Sequence, residues 1–202
     1  MAERKALKQN EQREAGIRAR NGLDRESVSL FSASLVKNIA ASEVFKRAAV
    51  VMIYCAVGNE ADLSGLVNVF HKNKEDFKSE EKIFVYPFCI PGKERKMLAL
   101  RPYGRDAFRK GMLGIPEPDP LRAEVIDPAD IDLVICPCTS FDEDFHRIGM
   151  GAGYYDRFLK KCTKAAAALA AFECQRAERI EPNEWDIPVD WIFTEKGIRK
   201  RM

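Results

Sequence analysis

The stretch IDLVICPCTSFDEDFHRIGMGAGYYDRF, Ile131 to Phe158, decides the fold. Ile131–Cys136 is a continuous apolar run stopped by Pro137. Such a run suits a strand buried on both faces, as in a parallel sheet covered on each side. Glycines alternate at Gly149, Gly151 and Gly153, and a helix is expected from about Tyr154 to Cys162. Outward from this strand–loop–helix unit the same signals recur. Ala48–Val57 reads as a second buried strand, followed by a helix with Leu63, Leu66, Val67 and Phe70 at helical spacing. Lys82–Phe88 and Met97–Arg101 read as strands. Ala165–Phe172 has the alanines of a helix but the length and position of a strand, and Asp190–Thr194 reads as a last short strand. The first forty residues read as helices, with Asp24 capping one whose Val28, Phe31, Leu35 and Ile39 share a face. Pro102–Asp130, rich in Pro, Gly and charge, reads as an extended surface excursion. Buried strands alternating with helices indicate an α/β fold with a mainly parallel sheet. One domain is expected over residues 1–202, with N-terminal helices over 1–45 and an α/β core over 46–202.

Composition narrows the functional classes. The 202 residues carry 33 Lys+Arg and 31 Asp+Glu, a net charge of +2, with 46% hydrophobic residues. That balance fits a soluble globular domain and argues against a dedicated nucleic-acid binder, which would carry a strong basic excess. No apolar run approaches the ~20 residues of a membrane span. The polar N-terminus lacks a signal-peptide core, so a cytoplasmic protein with no membrane partner is expected. The six cysteines, Cys55, Cys89, Cys136, Cys138, Cys162 and Cys174, form no CxxC pair and read as reduced thiols. The spacing of Cys136 and Cys138, with only two histidines in the chain, disfavours zinc.

The chemistry is expected in the glycine loop. Closely spaced glycines let backbone N–H groups approach an anion, and the following helix would add its positive end. Arg147 at the loop entrance could neutralise phosphate, and Asp156 could hold a metal carried by a nucleotide. Taken alone, GxGxG fits a flexible turn equally well. It is neither the GxxxxGK[ST] nor the GxGxxG phosphate fingerprint. Of the histidines, His71 reads as solvent-exposed and His146 as a loop residue without a role.

The block FD…RIGMGAGYYDRFL resembles the signature of the 5-formyltetrahydrofolate cyclo-ligase family, also called methenyltetrahydrofolate synthetases. Other segments agree in order: GNEAD at 58–62, VYPF at 85–88, GIPEP at 114–118 and EPNEWDIPVDWIFTEKGI at 181–198. Phe145 departs from the pattern, which has Gly there, so the turn before Arg147 is expected to differ. The N-terminal Lys…Arg pair is also blurred, with Lys8 and Arg13 one residue out of the usual spacing.

The resemblance implies a three-layer α/β/α sandwich similar to sugar-phosphate isomerases and CoA-transferases. It also implies ATP- and magnesium-dependent closure of 5-formyltetrahydrofolate to 5,10-methenyltetrahydrofolate, through a phosphorylated formyl group. Its partners would be the small molecules folate and ATP. By motif match, Lys8, Arg13, Arg147, Gly149, Gly151, Gly153 and Tyr155 would meet ATP, with Arg147 and Tyr154 catalytic. Cys55, Glu60, Met150 and Tyr154 would meet folate, with core packing the rival reading for Cys55. Asp156 and Asp186 would hold Mg2+, and Glu117 would shape the site. Two rivals stay open: a non-catalytic nucleotide- or folate-binding member, and a sugar-phosphate isomerase or CoA-transferase of related fold. Between Lys93 and Lys110 seven basic residues face two acids, a candidate landing strip for an anionic folate tail.

Overall fold

The computed structural model describes residues 2–72, 82–90, 92–111 and 114–202. The chain begins with helices α1 (Ala2–Asn21), α2 (Arg25–Ala41) and α3 (Glu43–Arg47). The Asp24 side chain caps α2 by accepting from Ser27 N, as expected of a short acidic residue before a helical run. Leu35 and Ile39 are fully buried, and Val28 and Phe31 pack against the same core. Then follow β1 (Val50–Met52), α4 (Ser64–Lys72), β2 (Ile83–Cys89) and β3 (Met97–Pro102). A small hairpin comes next, β4 (Phe108–Lys110) with β5 (Pro116–Pro118), and then β6 (Ala123–Ile126) and β7 (Leu133–Pro137). A second hairpin, β8 (Ser140–Phe141) with β9 (Arg147–Ile148), leads into α5 (Tyr154–Leu159). The chain finishes with β10 (Ala166–Ala170), β11 (Trp191–Thr194) and β12 (Gly197–Lys200).

Eight strands form one sheet in the order β12-β11-β10-β7-β1-β2-β3-β6. The five inner strands from β11 to β2 pair in parallel, and the outer pairings at both ends are antiparallel. Successive residues of an apolar strand serve opposite faces. Leu133 and Ile135 join one core with α2, α3 and α4 residues, while Val134 and Cys136 join the other with Phe158 and Leu159 of α5. The alanine-rich β10 divides its side chains likewise, so the ambiguous run 165–172 resolves as a strand. Its small side chains are fully used on both faces, which alanine's helix preference does not reveal.

Several expected boundaries change. The ladder of β1 ends early, and residues after Ile53 leave the sheet toward the crevice described below. Residues 102–130 are not a plain excursion, because β6 closes one sheet edge there and β4–β5 stands above β2. The final strand β12 carries no strand signature in its sequence, since its Gly197–Lys200 pattern is mostly polar at a half-exposed edge. The expected helix to Cys162 is only six residues long. Helix α4 forms as expected, with Leu63 and Leu66 buried against the core; the side chains of Phe70 and His71 lie outside the described residues.

Candidate functional site

Chain connectivity places a crevice before any side chain is considered. From β1 the chain goes to β2 on one side, whereas from β7 it goes to β10 and β11 on the other. Ligands of open α/β sheets bind outside the carboxyl ends of the strands at such a divergence. A cleft of about 600 Å³ opens there. Its walls are the residues just past β1 and β7, the loop from Arg147 to Asp156, one face of α1 and the 183–186 turn.

One end of the cleft gathers arginines and glycines. Arg147 is buried in its wall, and its Nη2 donates to Asp156 Oδ1 at 3.0 Å. Its Nε is buried with no hydrogen-bond partner among the described residues. Such a group costs free energy unless a ligand oxygen meets it. Arg13 reaches over from α1, its Nε donating to Gly149 O at 2.8 Å. Gly151 and Gly153 have φ of +89° and +67°, a region where a side chain is strained. Helix α5 is only six residues long, so its N-terminal end adds little to the charge of the two arginines.

In the turn before Arg147, Phe145 adopts φ +66°, a region glycine enters more readily. Asp142, fully buried, fixes that turn by accepting from His146 N at 2.9 Å and Ile180 N at 2.7 Å. The Phe145 ring packs against the α5-side core, and its carbonyl accepts from Val189 N. His146 pairs with Asp142 at 3.3 Å and does not line the cleft.

From α1, Gln9, Arg13 and Arg20 line the cleft, and Gly16, three residues from Arg13 and four from Arg20, shares their stripe. Gly16 packs so closely that a Cβ there would lie 2.0 Å from Thr139 O. Lys8 does not line the cleft. It points away from this stripe and pairs with Glu181 at 2.8 Å on the surface, because five residues from Arg13 is the wrong helical spacing. Gln9, four residues from Arg13, holds the cleft-facing place. Arg20 was missed by sequence reasoning. It is buried, lines the cleft and pairs with Glu60 at 3.2 Å. No sequence signal marks it: α1 has no apolar stripe to show which side faces inward.

The other end is more apolar. Cys55, Cys89 and Cys138 line it with Pro87, Met97 and Ile115. Burial pushes the thiols of Cys55 and Cys89 up to about 11 and that of Cys138 to about 12. They stay protonated and are poor nucleophiles near neutral pH. Glu117, expected as a loop acid, is buried in β5 against Gly111. Tyr154 and Tyr155 line the cleft at the start of α5, and the Tyr155 hydroxyl is buried with no hydrogen-bond partner among the described residues. Met150 and Trp185 stand exposed at its mouth. Burial raises the Glu60 carboxyl above its usual range, opposed by the charge of Arg20 and by hydrogen bonds from Val57 N and Arg20.

Asp156 and Asp186 both line the cleft, and Ile187 N, next to Asp186, donates to Asp156 Oδ1 at 3.2 Å. Their carboxylates are hard oxygen donors of the kind magnesium takes. Asp186 Oδ2 also accepts from Asn183 N at 2.7 Å. The basic strip is less bare than its sequence implies. Arg101 and Arg109 each lie 3.8 Å from an acid, Glu124 and Asp119, and Lys96 pairs with Glu94. Arg95 donates to Ala152 O at 2.9 Å, touching the glycine loop.

Residues 3–195 match the model of the 5-formyltetrahydrofolate cyclo-ligase family. The 5-formyltetrahydrofolate cyclo-ligase of Escherichia coli K12 is 27% identical over 150 residues, 73% of this chain and 79% of that protein. The Mus musculus enzyme of the same name is 25% identical over 187 residues, 89% of this chain and 88% of that protein. The solved structure of Aquifex aeolicus 5,10-methenyltetrahydrofolate synthetase superposes with a TM-score of 0.79 at 30% identity, covering 95% of this chain and 92% of that one. A 5,10-methenyltetrahydrofolate synthetase from Mycoplasma pneumoniae shares the fold, with a TM-score of 0.72 at 19% identity over 93% of this chain and 98% of that one.

Proposed function

The chain belongs to the 5-formyltetrahydrofolate cyclo-ligase family, and from that premise we propose how its cleft performs the ATP-dependent conversion of 5-formyltetrahydrofolate to 5,10-methenyltetrahydrofolate. The observation that carries the proposal is Arg147, buried in the cleft wall with its Nη2 held by Asp156 and its Nε without a hydrogen-bond partner among the described residues. A fixed, desolvated cation with a donor to spare fits a γ-phosphoryl group in transfer.

The chemical need is simple. A formamide oxygen is a poor leaving group. In the proposed route the formyl oxygen attacks the γ-phosphorus and ADP leaves. The second folate nitrogen then adds to the activated carbon and loses its proton, and phosphate departs carrying the former formyl oxygen. Positioning and charge neutralisation dominate such a reaction, and no side-chain nucleophile is required. Arg147, Arg13 and the N–H groups from Gly149 to Gly153 take the phosphates. Tyr154 and Tyr155 line the path between the two substrates, and the Tyr155 hydroxyl supplies a further donor. Cys55, Glu60 and Met150 contact folate, Glu60 accepting from its N–H groups, and Glu117 shapes the apolar end. Lys8 is left out of the ATP set in favour of Gln9. Asp156 and Asp186 would hold Mg2+, which when bound would neutralise phosphate charge. A cytoplasmic setting is supported by six free cysteines, and no described helix is long and apolar enough to cross a membrane.

The route is tested with substrate carrying oxygen-18 in the formyl group. Label recovered in the released phosphate supports it. Label retained elsewhere with unlabelled phosphate contradicts it.

A further inference from the structure

The folate reading above turns on Glu60, and the structure surrounds that residue with an arrangement none of the motifs describes. Arg20 sits in the last turn of α1, its side chain only 9% exposed, and its Nη1 donates to Glu60 Oε1 at 3.2 Å. The Glu60 side chain is 16% exposed. The same turn is clamped to the end of α1 a second time. Asn59 Nδ2 donates to the carbonyls of Arg20 and Leu23 at 3.2 and 2.9 Å. Val57 N donates to Glu60 Oε2 at 3.1 Å, so both carboxylate oxygens are held. Arg20 Nε is buried with no hydrogen-bond partner among the described residues, and both Arg20 and Glu60 line the cleft. Burying an ion pair rarely stabilises a fold more than apolar residues of similar size would. A buried pair at a cleft wall is therefore better explained by what the cleft binds.

We propose that Arg20 is a positioning residue for folate recognition, holding the Glu60 carboxylate at the cleft wall as an ionised acceptor for substrate N–H groups. This rests on the reading of the cleft as a folate site. The other titratable groups facing Glu60 do not replace Arg20. Tyr54 past β1, Cys138 past β7 and Tyr155 on α5 are all pushed up by burial and stay neutral near pH 7. Asp62, two residues on in the same turn, carries the sign of Glu60 itself. Arg20 is thus the cation that opposes the burial of Glu60. Without it Glu60 takes up a proton more readily, and a protonated acid is a poorer acceptor.

The test is steady-state kinetics on the full chain across the neutral pH range, with Arg20→Met, Arg20→Lys, Glu60→Gln and the Arg20→Met/Glu60→Gln double variant. Arg20→Met is expected to raise KM for 5-formyltetrahydrofolate about tenfold or more at neutral pH, the scale of one charge-assisted hydrogen bond. KM for ATP should stay within about twofold, the scale of a residue outside the phosphate contacts. The folate defect should shrink as pH rises and Glu60 ionises. Arg20→Lys should recover most of the wild-type value. In the Glu60→Gln background Arg20→Met should add little, because its target is gone. Should Arg20→Met fail to fold, the double variant, which buries no charge, is compared with Glu60→Gln. Equal rises in both KM values, a defect that ignores pH, or a full Arg20→Met effect on top of Glu60→Gln overturns the proposal. A normal folate KM in Glu60→Gln overturns it as well. An inactive wild-type chain would instead strike the folate reading itself.

Discussion

At the scale of single residues, the proposed phosphate end of the cleft depends on one buried ion pair. Asp156→Ala leaves the Arg147 guanidinium buried and uncompensated, an expected cost of about 3 kcal/mol in unfolding free energy together with near-complete loss of activity. Denaturant titration and initial rates measure the two separately. Arg147→Lys keeps the charge but not the fork that satisfies Asp156 and phosphate together, so kcat should fall by about a hundredfold. Full activity in either variant would reject the assignment. Phe145 offers a test of strain. Its φ of +66° costs about 1–2 kcal/mol in a residue with a Cβ, and the half-buried ring recovers part of that. Alanine there loses the ring and keeps the strain, whereas glycine loses the ring and the strain together. Phe145→Gly should therefore be more stable than Phe145→Ala by about 1 kcal/mol, against the usual order of those residues. Thermal unfolding reads the difference, and an alanine variant as stable as the glycine one would show that the turn relaxes. Much of this end was legible in the sequence. Arg147, the glycines and Asp156 stand within ten residues, where local spacing reports local geometry. Arg20 and Glu60 are forty residues apart and meet only through the fold, so no spacing announces them.

At the scale of elements, α1 is the least conventional piece. A helix normally docks by an apolar stripe. This one docks through Gly16 on Thr139 and through hydrogen bonds such as Ser140 Oγ to Gln12 O at 2.7 Å. The close approach brings Arg13 and Arg20 to the cleft. Gly16→Ala must push α1 off β8, with an expected cost of about 1–3 kcal/mol as for other overpacked contacts. Because two cleft arginines move with the helix, kcat/KM should drop at least about tenfold. An unchanged kcat/KM would mean that α1 does not set the site. The helix itself was legible from composition, but its inward face was not, because sequence patterns reveal apolar faces and this face is polar. The same reason explains β12, a polar edge strand recruited by backbone pairing with β11.

At the scale of the whole molecule, the sheet order fixes where chemistry can occur, and side chains only specify which. The apolar runs at β1, β7 and β10 made an α/β sheet with inner parallel strands legible, because strands buried on both faces must be apolar throughout. The antiparallel edges were less so, since they contact solvent and need no such pattern. The far edge is held by charge. Arg199 on β12 donates to both Glu173 oxygens at 2.7 and 2.8 Å. Burial raises the Glu173 carboxyl, but hydrogen bonds and charge from Arg199 outweigh it and hold it below its usual range. A carboxyl lowered in the native state stabilises fully above its unfolded value, about pH 4.3, and loses that contribution as pH falls through its folded value. Glu173→Gln should therefore lower stability at neutral pH and flatten its fall in acid, as read by urea midpoints at several pH values. An acid limb identical to wild type would remove Glu173 from that role. The central claim, that this cleft closes the folate ring at the expense of ATP, is tested most directly by mixing the purified chain with 5-formyltetrahydrofolate, ATP and magnesium and following methenyl-folate absorbance. A rise that requires ATP, with one ADP formed per product, is the predicted result; no ATP-dependent product would contradict it.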